Sequence, residues 1–154
     1  MAISSPYISF PGNAAEAFAH YAEVFGGTLE LYRYGDMPPM EGMPFDPPAQ
    51  AVAHAALSGG FLTLAGGDAM GPAHTGPSAE DDGGAQALAS DAYSILVTLS
   101  SVPAAEQLIA RLVEAGGRQP MPFAQAPWGD HYGQVVDRFG VLFAFVVPGE
   151  QSGS

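Results

Sequence analysis

Apolar positions follow two periods along this chain, and the order in which the periods alternate is repeated. Residues 6–10 form an aromatic and branched run that predicts a strand. Asn13 is suited to cap a helix, and Glu16 three residues on completes a capping-box-like pattern. Phe18, Tyr21, Ala22 and Phe25 then share one helical face, and Gly26 fits the left-handed position that closes a helix. Residues 28–34 return to strand character. Residues 35–48, rich in Pro, Gly and Met, predict a loop. Residues 50–57 and 61–65 predict two strands around a tight turn at Ser58-Gly59-Gly60. The same order returns later in the chain. Residues 93–99 predict a strand, and Ala105, Leu108, Ile109 and Leu112 a helical stripe ended by Gly116. A short strand over 117–121 and a loop over 122–130 follow. Two strands, 132–138 and 141–147, then flank a turn at Phe139-Gly140.

The repetition has a fixed offset in places. Ala14 and Ala104 stand 90 residues apart (104 − 14), as do Gly26 and Gly116 (116 − 26). Aligning Gly60 with Gly140 gives 80 for the strand pairs around the two turns (140 − 60), which sets His54 beside Gln134 (134 − 54). The expected architecture is α+β: two βαβββ modules whose sheets curl around a common cleft. Within a single domain, module one spans 1–68, a Gly/Ala/Asp-rich connector 69–91, module two 92–148 and a frayed tail 149–154.

Charge narrows the partners. The 154 residues carry 16 acidic and only four basic side chains, a net charge of −12, with no lysine. Such a surface repels phosphate backbones and anionic lipid, so no nucleic-acid or membrane partner is expected, and a cationic ligand is favoured. Acidity also serves plain solubility. Cysteine is absent, which removes disulfides, thiolate nucleophiles and cysteine-ligated zinc. Residues 1–13 lack the basic segment and apolar core of a secretory signal, and the apolar run 141–147 is too short to cross a bilayer. A cytoplasmic protein is expected.

Several motifs then acquire meaning together: residues 6–17 (PYISFPGNAAEA), Phe25-Gly26-Gly27, Val52-Ala53-His54-Ala55, residues 128–133 (WGDHYG) and Asp137-Arg138-Phe139-Gly140. On these the chain resembles the vicinal-oxygen-chelate superfamily of glyoxalase, bleomycin-resistance and dioxygenase proteins, and within it the PhnB-like branch. The resemblance implies a U-shaped mixed sheet around a cleft, a homodimer and, in many members, a divalent metal. That metal is held by His, Gln or Glu from the first and last strands of each module. This chain departs from the pattern. Residues 6–10, 61–65, 93–99 and 141–147 contain no His, Gln, Glu or Asp, and Ala144 stands where the resemblance implies a glutamate. No metal and no cofactor are therefore expected, since such a site needs about three or more protein donors.

The remaining candidates form a small set. His54 interrupts an apolar strand; it is either a satisfied core histidine or a cleft residue acting as acid/base or orienting a ligand. Gln134 at the repeat-equivalent station reads the same two ways. Trp128, Asp130, His131 and Tyr132 form the densest polar-aromatic cluster. Trp128 either plugs the second module or walls a planar or cationic ligand, and Asp130 either caps a turn or faces positive charge. Tyr7 on the first strand joins the ligand-binding set. Three function classes stay open: a small-molecule binding protein working without the usual metal; an enzyme of lyase, isomerase or transferase type using His54 as acid/base or an atypical metal site; and a structural or regulatory dimer whose cavity is filled by side chains. The methyltransferase label common among PhnB-like sequences is not supported, because no glycine-rich nucleotide turn joins a strand to a helix.

Overall fold

The computed structural model describes residues 4–38, 42, 47–69, 88, 90 and 92–149. Most of the expected connector, Met40 and Met43 of the loop, and all of the tail beyond Gly149 lie outside the described residues. The chain divides into two compact units, Met1–Ala87 and Leu88–Ser154.

Unit one contains β1 (Tyr7–Phe10), α1 (Ala14–Phe25), β2 (Thr28–Arg33), a 3₁₀ turn (Tyr34–Asp36), β3 (Val52–Ser58) and β4 (Leu64–Asp68). Its sheet runs β1-β4-β3-β2, with β1 parallel to β4 and the other neighbours antiparallel. Unit two repeats the plan with β5 (Ile95–Thr98), α2 (Val102–Glu114), β6 (Arg118–Gln125), β7 (His131–Val136) and β8 (Leu142–Val147), in the order β5-β8-β7-β6. The βαβββ order predicted from periodicity is thus the order found, and the class is α+β.

In each unit one helix covers one sheet face. Phe10, Phe18, Tyr21 and Phe25 bury completely or nearly so between α1 and its sheet, with ring centroids 5.8–6.4 Å apart in edge and tilted pairs. Each such burial contributes about 1.5–3 kcal/mol. Leu108, Ile109 and Leu112 of α2 pack likewise with Val135, Phe143 and Phe145. Strand alternation sends the next side chains to the opposite, helix-free face, and that face carries the candidate chemistry.

Several details differ from expectation for physical reasons. β4 runs three residues further than predicted and takes in Gly66 and Gly67, which the strand expected over 61–65 left out. A Cβ on Gly66 would collide with the Ile8 carbonyl oxygen and crowd Phe18, so β1 and α1 can pack on β4 only through glycine. β6 extends to Gln125 despite Pro120 and Pro122, because it is an edge strand with two register shifts and few ladder bonds to lose. Asn13 occupies the cap position of α1 without a side-chain cap bond. Instead the Ala14 N–H donates to Asp68 Oδ1 at 2.9 Å, and the Val52 N–H donates to Asp68 Oδ2 at 2.8 Å. Asp68 ties together α1, β3 and β4.

The repeat is also less regular than its glycines suggest. α2 is capped by Ser101, whose Oγ accepts from the Ala104 N–H, so the caps stand 88 apart (101 − 13). The strand ends at the two turns stand 78 apart (136 − 58 and 142 − 64), not 80. The station of His54 therefore corresponds to Tyr132, not to Gln134.

Candidate functional site

In unit one the helix-free face holds Tyr7 and Ser9 from β1, Ala65 and Gly67 from β4, His54 and Ala56 from β3, and Glu30 and Tyr32 from β2. This follows from the ladder pairs Tyr7↔Ala65, Ser9↔Gly67, Ala56↔Ala65, Glu30↔Ala56 and Tyr32↔His54. Three rings stand in a row on it. Tyr7 and His54 have centroids 6.3 Å apart at 25°, and Tyr32 and His54 6.5 Å apart at 19°. All three side chains are exposed, Tyr7 to 58% and Tyr32 to 48%. Tyr7 reaches His54 across β4 because only Ala65 and Gly67 lie between them on this face. The His54 side chain makes no hydrogen bond among the described residues; its ring partners are Tyr7 and Tyr32. It is therefore not the satisfied core histidine that one reading of the sequence allowed.

Tyr32 was not among the sequence candidates. Its strand alternation was legible, but the long intervening loop hid the register that sets it opposite His54.

Unit two holds the remaining candidates, and its strands separate them. Tyr132 and Gln134 share the helix-free face, where Gln134 Nε2 donates to the Tyr132 hydroxyl at 3.2 Å. Leu96 and Ala144 lie in the same row as Gln134. His131 alternates to the helix-covered face, opposite Val147, with its ring 5.8 Å from Phe123. Asp130 is engaged structurally: its Oδ1 accepts the Gly149 N–H at 2.8 Å. Trp128 does not plug unit two. It sits 75% exposed in a turn closed by the Gly129 N–H on the Ala126 carbonyl and the Ala126 N–H on the Asp130 carbonyl. Asp137 shapes the turn before the last strand: its Oδ1 accepts from the Phe139 and Val141 N–H groups, both at 2.9 Å.

This plan of two βαβββ units has known counterparts. Residues 6–145 match the family described as the Glyoxalase/Bleomycin resistance protein/Dioxygenase superfamily. The chain belongs to this superfamily. It is 28% identical to Protein YjdN of Escherichia coli (strain K12), over 96% of each chain. The solved structure of protein PA1353 from Pseudomonas aeruginosa is similar at 30% identity with a TM-score of 0.74, over 97% of this chain and 100% of that one. A structure titled putative 3-demethylubiquinone-9 3-methyltransferase, PhnB protein, from Bacillus cereus is similar in fold at 19% identity and a TM-score of 0.67, over 96% and 100%.

The superfamily implies a metal held by the first and last strands of each unit, and the donor set here does not fit one. The paired helix-free positions of those strands are Tyr7/Ala65, Ser9/Gly67, Leu96/Ala144 and Thr98/Val146. They offer hydroxyls but no imidazole and no carboxylate. Asp68, the one carboxylate on these strands, accepts a backbone N–H on each oxygen. Among the described residues no group of three or more His, Asp or Glu side chains is placed to share an ion. What unit one can do chemically is stack: three near-parallel rings over small side chains, with imidazole nitrogens open to a ligand.

Proposed function

We propose that this superfamily member binds a small aromatic or cationic molecule on the helix-free face of unit one, without the superfamily's usual metal. The observation that carries this is the row Tyr7–His54–Tyr32, exposed and held near parallel across three strands. Exposed aromatic rings cost solvation unless something covers them, and a planar partner recovers about 0.5–1.5 kcal/mol for each ring it stacks on. The excess of 16 acidic over four basic residues favours a cation over an anion. The homodimer that the superfamily resemblance implies is part of the same reading.

A second reading makes His54 an acid/base catalyst, and its unbonded ring nitrogens favour it. A catalytic imidazole, however, is normally oriented by a third group on its other nitrogen, and among the described residues none holds His54. Binding is the better-supported function. Methyl transfer is not favoured: the strand-to-helix turn before α1 has no glycine-rich cradle, and the first N–H of α1 is already taken by Asp68.

The test is a thermal-shift screen of aromatic cations, neutral aromatics and saturated amines on wild type and on the Tyr7→Ala/Tyr32→Ala variant. Aromatic hits should stabilise the wild type and lose affinity by about 5- to 150-fold in the variant, from two stacking contributions. Hits that bind both proteins equally would refute the site. For the catalytic reading, His54→Ala should abolish a measured turnover without unfolding the protein.

A further inference from the structure

Unit two carries an open groove of about 450 Å³ where α2 passes over β6, on the helix-covered side of its sheet. The edge strand helps make it: Pro122 lines it, and two register shifts interrupt the pairing of β6 with β7. Ala110, small and exposed on α2, leaves the groove unfilled. Ile109, Val113, Pro122 and Phe123 give it an apolar lining, and Glu106 and Glu114 stand on α2 about 12 Å apart along the helix axis.

We propose that this groove is a second binding site, for small amphiphilic organic cations. The apolar lining supplies contact, and Phe123 brings an aromatic ring to it, a group that attracts ammonium. The two carboxylates set the sign of the charge. Neither has a hydrogen bond or ion pair among the described residues, and no basic side chain lines the groove. The volume suits a ligand of one ring and a short polar head. This site is independent of the aromatic row in unit one and stands or falls separately.

Amide NMR of the full chain, titrated with benzyltrimethylammonium, tests it. Saturable shifts are expected at Ala110, Val113 and Phe123, with tetramethylammonium several-fold weaker and benzenesulfonate inactive. The Glu106→Gln/Glu114→Gln variant changes two exposed side chains and should weaken binding about three- to tenfold, as should raised salt. Val113→Ser should weaken it without altering the preference for cations. Absence of saturable shifts in the groove, equal binding of benzenesulfonate, or unchanged affinity in the double-glutamine variant would each overturn the proposal.

Discussion

Removing the Asp68 carboxylate should unfasten unit one. Its two oxygens accept the Ala14 N–H at 2.9 Å and the Val52 N–H at 2.8 Å, and both donor residues are fully buried. In Asp68→Ala each N–H loses a charged acceptor, and an orphaned buried donor costs about 1–3 kcal/mol. Ala14 is also the first residue of α1, so the lost negative charge removes a further ~0.3–1 kcal/mol of helix-dipole stabilisation. The sum is about 2–7 kcal/mol, a large share of the roughly 5–15 kcal/mol that holds a domain together. Asp68→Asn keeps one acceptor and should lose about half as much. Urea unfolding followed by far-ultraviolet circular dichroism gives the two values. Hydrogen exchange locates them: protection should fall in α1 and β3 while β7 and β8 keep theirs. Losses below ~0.5 kcal/mol in both variants, or equal loss of protection in the two units, would refute the reasoning.

Other expectations follow from the same geometry. Asp137→Ala should destabilise unit two by about 2–4 kcal/mol, since two buried-turn N–H groups lose their common acceptor; a chemical denaturation curve within 0.5 kcal/mol of wild type would contradict this. Gly66→Ala should be worse than an ordinary strand substitution, because its Cβ meets the Ile8 carbonyl; soluble expression with unchanged melting temperature would count against the β1–β4 register. The single tryptophan should emit as a solvated indole and quench readily with acrylamide, changing little on unfolding; a blue, protected emission would place Trp128 indoors.

The repeated order of strands and helix was legible because buried faces impose their period on the sequence. What stayed hidden was non-local. Asn13 offered a local capping signal, yet the carboxylate that accepts the first helical N–H comes from Asp68, 54 residues on. Gly66 and Gly67 fell outside the predicted strand because the crowding that requires them comes from Ile8, Phe18 and Ala53. The predicted strand over 117–121 stopped short of Pro122, and the position of β6 at the sheet edge is what makes both of its prolines tolerable. Within the candidate site, His54 and Tyr7 could be singled out from residue type and strand position. Tyr32 could not, because its value lies in a cross-strand register that a long loop leaves undetermined. His131 sat next to Tyr132 in sequence and for that reason was grouped with it, whereas strand alternation turns the two to opposite faces.

We propose that the helix-free face of unit one grips a ligand by stacking, and its donor set does not fit an ion. Imidazole carbon–proton NMR of His54, read in one sample against the strongest aromatic compound of the screen and in another against stoichiometric Zn²⁺, tests both halves at once. The His54 ring signal should move with the compound, in proportion to occupancy, and stay put with the metal. A compound that binds while the His54 signal remains still, or a tight one-to-one Zn²⁺ complex that shifts it, would contradict the account.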